Sequence, residues 1–472
     1  MSPKEIKKIT INNIRDHLVG IDKKVTLLDG SESQYIFFDN ASSTPTFTFV
    51  RDSVNEMLEW YSGVYRGAGI KSLVATKAYD DSRKIIADFV KADLTNKTVI
   101  FGKNTTEGIN KLAYRLNLSK EDVVICSLMD HHSNDLPWRK FATVVHSGIN
   151  KDGSLNLTDL KNKVELYKGK LNLIAITGAA NVTGLINPVY EIAELAHKNG
   201  AKILIDAAQL APHRAIDIKP DDDIQHIDFI VLSAHKMYAP YGTGVLIGAK
   251  SVFEEGDPEY VGGGTVNVVT EKEVHWAHLP DKEEAGTPNL LGAVAMAAAV
   301  KVLNEIGMDK VAEHEIELTE YIYKRITEVP GIKILGPTNF NSYKDKLGVI
   351  TFNLGGMHNS LVASVLCYEG GIGVRDGCFC AHPYIKELLG VTEEESKLMI
   401  KNIEMGDRSN LPGAVRASFG IYNTIDEIDK FLEMLHRIAR QEYKGKYILD
   451  KSTGSYYPEG FEIDYNRYFS LV

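Results

Sequence analysis

The chain reads as an α/β protein with a large domain, a mostly parallel mixed sheet wrapped by helices, and a smaller α/β domain beside it. Three observations predict this. Short β-rich runs recur between about residues 98 and 250 and are apolar throughout rather than alternating, as strands covered on both faces are. Helical patterns separate these runs, and strand–helix alternation implies parallel strands joined by right-handed crossovers. From about 291 the pattern changes to long helices with only short strand candidates between them.

The strand candidates in order are 98–101, 123–126, 173–176, 202–205, 229–232 and 244–247. The helix from Val189 to Asn199 meets Gly200, a residue suited to a helix C-terminus because it tolerates positive φ. Beyond 290, helices are expected over 291–306, 308–328 and 425–441, with strands at 349–352 and 415–418. This divides the chain into a large domain over 34–290, a smaller one from 1–33 with 291–440, and a tyrosine-rich tail over 441–472. A tail holding Tyr443, Tyr447, Tyr456, Tyr457, Tyr465 and Tyr468 is expected to dock on the body or on a second subunit.

Composition narrows the function classes. The 472 residues are 44% hydrophobic and 25% charged, which excludes a disordered or collagenous chain. Lys plus Arg is 53 and Asp plus Glu is 63, a net charge of −10, so no basic footprint for nucleic acid is present. Four cysteines, Cys126, Cys367, Cys378 and Cys380, are too few for a disulfide framework and suit a reducing cytoplasm. The longest apolar run, Leu290 to Val300, has eleven residues, short of the ~20 that a membrane span needs. The opening residues lack the apolar core of a signal peptide.

Ligands in such sheets gather at the carboxyl ends of the strands, and four of these ends carry chemistry. After 98–101 comes Asn104-Thr105-Thr106-Glu107-Gly108, which suits a phosphate at a helix N-terminus or an ordinary N-cap. After 123–126 comes Asp130-His131-His132-Ser133-Asn134; adjacent histidines rarely ligate one ion, and an imidazole there can stack on a ring. Asp206 ends the fourth run, where a carboxylate needs a cationic partner: a protonated heterocycle nitrogen, or a neighbouring arginine. Ser233-Ala234-His235-Lys236 ends the fifth, and a desolvated lysine is the usual Schiff-base former. Together these four describe a pyridoxal phosphate site.

In its motifs the chain resembles the class V aminotransferase group of fold-type I pyridoxal phosphate enzymes, and within it the cysteine desulfurase / selenocysteine lyase family. The pieces run in order: Phe38-Asp39-Asn40-Ala41, Tyr65-Arg66-Gly67, 104–110, 130–134, Asn181-Val182-Thr183-Gly184, 206–209, 233–236, Ala285-Gly286-Thr287-Pro288-Asn289, 374–380 and 416–424. The resemblance implies that Lys236 carries the cofactor and moves the Cα proton. It implies that Asp206 keeps the pyridine nitrogen protonated and that His131 stacks on the ring. Gln209 and Asn181 would meet the ring hydroxyl or the substrate. Thr106, the backbone of Thr105, Ser233 and His235 would hold the phosphate. Thr287 would reach the cofactor phosphate of the partner subunit, implying a homodimer. Arg416 would bind the substrate carboxylate, with Arg375 near the cysteine loop.

Cys380 falls at the place of the persulfide-bearing nucleophile, so the implied reaction turns L-cysteine into alanine and a persulfide on Cys380, with sulfur passed to an acceptor protein or small carrier. Neighbouring readings are selenocysteine or C–S lyase, and aminotransferase or epimerase chemistry with idle cysteines; a degenerate binding protein is the non-enzyme reading. Cys126 and Cys367 read as packing. Three departures surround the substrate, not the cofactor. Position 378 is Cys where the nearest desulfurases usually have His, which puts a second thiol in the loop. Gly69 stands where they have an active-site His. Cys380 and Arg416 lie 36 positions apart, and the added 387–408 reads as a helical lid or interface.

Overall fold

The computed structural model describes residues 8–65, 67–340 and 342–471; Arg66, in one of the motifs above, lies outside them. A seven-stranded sheet dominates. Its spatial order is Lys97–Gly102, Gly244–Ala249, Phe229–Ser233, Lys202–Asp206, Leu171–Thr177, Val123–Ser127 and Thr143–Ser147. All neighbours pair parallel except Gly244–Ala249, which runs antiparallel to both of its neighbours. Six of the strands coincide with the apolar runs. The seventh, Thr143–Ser147, is missing from the sequence reading. It is an edge strand whose residues are mostly half-buried or exposed, so it carries no continuous apolar signature.

Helices cover both faces, as the double-sided burial of the strands requires. Val189–Lys198 ends as expected, with Gly200 at φ +73°. Leu290–Ile306, apolar nearly all round, packs against Thr48–Trp60 and Ile70–Phe89 and is part of the large core. No single helix among the described residues is long and apolar enough to cross a membrane.

A second, antiparallel sheet has the order Ile332–Leu335, Val349–Leu354, Ala414–Ser418 and Arg375–Gly377. It has its own apolar core with helices Met308–Ile326, Asn359–Gly370 and Ile425–Ala439. The N-terminal part touches both units: Ile9, Ile14, Leu18 and Ile21 pack in the large core, while Arg15 reaches Glu427 at 2.9 Å and Ile36–Phe37 pairs parallel with Ile372–Gly373. The tail forms a hairpin, Tyr447–Asp450 with Ser455–Pro458. It is tied to Asn359–Gly370 where Ser364 Oγ donates to Tyr456 O at 2.6 Å and Tyr456 N donates to Ser360 Oγ at 3.0 Å. Segment 387–408 takes in the end of helix His382–Leu389, which is anchored by buried Tyr384 and Ile385, and all of Glu393–Glu404, which buries no residue.

Candidate active site

The carboxyl ends of the central strands open into one pocket that the second sheet closes from the side. Thr105, Thr106, His131, Asn181, Asp206, Gln209, Ser233, His235, Lys236, Arg375, Cys380 and Arg416 all line it. Thr287 does not. It lines a separate pocket with Gly63, Tyr65, Gly263 and Gly264.

One wall is a cluster of hydroxyls. Helix Thr105–Arg115 starts at Asn104, whose side chain accepts from Glu107 N, so the N-cap reading also holds. Thr105 N donates to Ser233 Oγ at 3.1 Å, the Thr105 and Ser233 hydroxyls lie 2.8 Å apart, and Thr106 Oγ1 lies 2.7 Å from Ser133 Oγ. Gly244 permits this approach: a Cβ there would sit 2.7 Å from the Asn104 Cα.

His131 Nδ1 accepts from Ser133 N at 3.1 Å. Burial and the charge of Lys236 hold its pKa down to about 4, so the ring is neutral at pH 7. Asp206 is buried and its pKa is raised by desolvation; Ala208 N donates to its Oδ1 at 3.0 Å, and no arginine pairs with it among the described residues. Desolvation also pulls Lys236 down to about 8, against the attraction of Asp206. Gln209 Nε2 donates to Ala41 O.

The opposite wall is a charge network with Asp39 at its centre. Asp39 Oδ2 accepts from Arg375 Nε at 3.0 Å, and Asp39 Oδ1 accepts from Arg416 Nη2 at 3.1 Å. Arg416 is buried, and desolvation lowers its pKa to about 10. It also donates from Nη1 to Asn181 O at 3.1 Å, and its guanidinium lies 4.8 Å from the centre of the Phe379 ring. Two buried polar atoms here have no partner, Asn181 Oδ1 and Arg416 Nε.

The cysteine loop is held in place. Phe379 and Cys380 both adopt left-handed φ, 52° and 54°, which non-glycine residues rarely do. Asn181 Nδ2 donates to Phe379 O at 2.7 Å, and His132 N donates to Cys380 O at 2.9 Å. Cys380 is exposed. Cys378 turns away: its thiol donates to Pro412 O at 2.8 Å, and burial pushes its pKa up to about 11. Cys126 is buried in the sheet and Cys367 half-buried in a helix.

The class-V aminotransferase family profile matches residues 36–431. The chain belongs to the class-V aminotransferase family. A probable cysteine desulfurase of Halalkalibacterium halodurans is 34% identical over 422 residues, covering 88% of this chain and 95% of that protein. A cysteine desulfurase of Haloferax volcanii is 33% identical, covering 86% and 90%. Among solved structures, the apo cysteine desulfurase of Thermococcus onnurineus has a TM-score of 0.76 at 30% identity, covering 86% of this chain and 95% of that one. A cysteine desulfurase of Escherichia coli in an S-sulfonic acid form has a TM-score of 0.74 at 25% identity, covering 92% and 100%.

Three residues of this class-V site escape the sequence reading. Asp39 and Ser133 lie inside quoted motifs but received no role. Phe379 also lies inside a quoted motif, 374–380, without a role. Nothing in the linear spacing signals that residue 39 meets residues 375 and 416.

Proposed function

We propose that this class-V enzyme is a pyridoxal phosphate-dependent cysteine desulfurase that moves the sulfur of L-cysteine onto Cys380 and releases alanine. One observation carries the reading: an exposed cysteine on a pinned loop shares a pocket with a desolvated lysine and a buried arginine. The residues present fit the cofactor. Thr105, Thr106, Ser233 and His235, with Ser133 behind Thr106, form a hydroxyl-rich cradle at a helix N-terminus for its phosphate. Asp206 would hold its ring nitrogen. Asn181 Oδ1, without a partner among the described residues, and Gln209 would meet its ring hydroxyl or the substrate. When bound, the cofactor supplies an electron sink for the pair left by the Cα proton.

The chain's own groups do the rest. Lys236 Nζ holds the cofactor and takes the Cα proton; a pKa near 8 leaves about a tenth of it as free amine at pH 7. Asp206 would keep a proton on the cofactor's ring nitrogen, and the neutral, flat ring of His131 would stack on it. Arg416, held by Asp39 and Asn181, takes the substrate carboxylate, and Arg375 adds positive charge beside the thiol. The Cys380 thiolate attacks the substrate sulfur. An S–S bond forms and the C–S bond breaks. The electron pair stays with the substrate Cβ, which is protonated and leaves as part of alanine. Thr287 lies outside this pocket, and we assign it to the cofactor phosphate of a second copy in a homodimer. Exposed Cys380 then passes sulfur to an acceptor protein or small thiol. Four free thiols suit a reducing cytoplasm.

The test is to incubate the holoprotein with L-cysteine and measure alanine and Cys380 persulfide. Cys380→Ala is expected to abolish the persulfide and sulfur release together. Full sulfur release from that variant would instead mark a lyase, and an oxo-acid or racemised product would mark transaminase or epimerase chemistry.

A further inference from the structure

At the opposite end of the central sheet from the pocket, two imidazoles converge on one carboxylate. Helix Val189–Lys198 brings His197, the loop before strand Phe229–Ser233 brings His226, and Asp228 precedes that strand. His197 Nδ1 lies 2.7 Å from Ile224 O, and His226 Nδ1 lies 2.7 Å from Asp223 O. A carbonyl only accepts, so both Nδ1 atoms carry the proton and donate it. In the neutral rings this leaves the Nε2 lone pairs pointing toward Asp228: His197 Nε2 is 2.9 Å from Oδ2, and His226 Nε2 is 3.6 Å from Oδ1. Lone pairs facing carboxylate oxygens repel unless a proton or a metal ion lies between them; Oδ2 also accepts from Ile203 N at 2.9 Å.

We propose that His197, His226 and Asp228 form a site for a divalent transition-metal ion of the zinc and cobalt class, separate from the catalytic pocket. Two imidazole nitrogens and one carboxylate oxygen suit such an ion and not magnesium or calcium. Bonds of about 2.0–2.1 Å in tetrahedral geometry separate neighbouring donors by about 3.3 Å. The 2.9 and 3.6 Å pairs, one to each oxygen of Asp228, bracket that spacing, and each of the three residues offers a donor atom within 4.8 Å of the others. The backbone carbonyls on both Nδ1 protons orient the rings as outer-shell partners of metal-bound histidines do. The rings are stacked, with centroids 4.1 Å apart and planes 16° apart, so His226 must tilt to aim its lone pair at the ion. Among the described residues, Lys202 Nζ, 3.7 Å from Asp228 Oδ1, is the lysine or arginine that competes for this carboxylate. Its half-exposed side chain can swing into water. The site ties a helix to two strand starts. It lies about 10 Å from Asp206 along the strand, three residues at ~3.3 Å each from Ile203, to whose N–H Asp228 is bonded, so its role is structural.

The test uses chelator-treated holoprotein titrated with Zn²⁺ and, separately, with Co²⁺. The expected result is one tightly held equivalent, a Co²⁺ spectrum without thiolate charge transfer, and a Zn²⁺-dependent rise in Tm. His226→Ala should weaken binding at least about tenfold and remove the rise in Tm. That variant leaves the His197–Asp228 contact in place, so its fold, checked by circular dichroism, is retained. Cys380→Ala should bind as the parent does. Parent-like affinity in His226→Ala, or loss of the tight equivalent in Cys380→Ala, overturns the proposal: the first leaves only a proton-bridged His–Asp pair, the second places the metal at the active-site thiol.

Discussion

Asp39 shows how one carboxylate can set the substrate wall. It holds Arg375 through one oxygen and Arg416 through the other, so Arg416 stays oriented before any carboxylate arrives. Asp39→Asn keeps the shape and loses the charge. We expect KM for L-cysteine to rise about tenfold, equivalent to ~1.4 kcal/mol, with kcat changed less, and Asp39→Glu to recover part of the loss. Steady-state kinetics on the three proteins decide this. Lys236 gives a pH prediction. Burial depresses its pKa to about 8, so the free amine is scarce below that value and predominates above it. Covalent uptake of pyridoxal phosphate by the apoprotein, followed by absorbance, should therefore speed up as pH rises and level off above a midpoint near 8. Lys236→Ala should show no covalent uptake at any pH.

Elements add constraints that single residues do not. The strand Gly244–Ala249 passes so close to the start of Thr105–Arg115 that a methyl group at 244 collides with the Asn104 backbone. Gly244→Ala is expected to push that helix away and weaken cofactor binding at least tenfold, or about 1.4 kcal/mol, measured by cofactor release on dilution. Helix Met308–Ile326 carries Glu315, buried against His213 Nδ1 at 3.0 Å, the Arg214 guanidinium and Gly348 N at 2.8 Å. Although desolvation works the other way, the contacts with His213 and Arg214 hold its pKa down at about 2, below the ordinary 4.5. A depressed carboxyl stabilises the fold above the unfolded-state pKa, and this contribution is lost as pH falls from about 4.5 toward 2. Glu315→Gln should cost about 3 kcal/mol at pH 7 in urea unfolding, and the gap from the parent should narrow through that acid window.

At the scale of the molecule, much was legible and some was not, for physical reasons. Strands buried on both faces announce themselves as unbroken apolar runs, so six of the seven central strands could be read. Thr143–Ser147 could not, because it is mostly half-buried or exposed and carries no unbroken apolar run, unlike the opposite edge strand Lys97–Gly102. The pocket residues were legible wherever chemistry sits at a strand end, as with Asp206 and Lys236. Asp39, Ser133 and Phe379 were not, because their roles depend on contacts between segments far apart in the chain: Asp39 meets Arg416 across 377 positions. Thr287 lines a different pocket of its own chain, and if it serves the cofactor phosphate of a second copy, as proposed above, two copies are needed for a complete site. Thr287→Ala should speed cofactor loss in the dimer without changing the sedimentation coefficient.

The two left-handed residues of the cysteine loop have a consequence for traffic. The carbonyls of Phe379 and Cys380 are both bonded to the body, and Arg416 lies against the Phe379 ring, so this thiol stays at its station. On the proposed function, sulfur held on Cys380 would then have to be collected at the mouth of the pocket by its recipient rather than carried outward on a swinging loop.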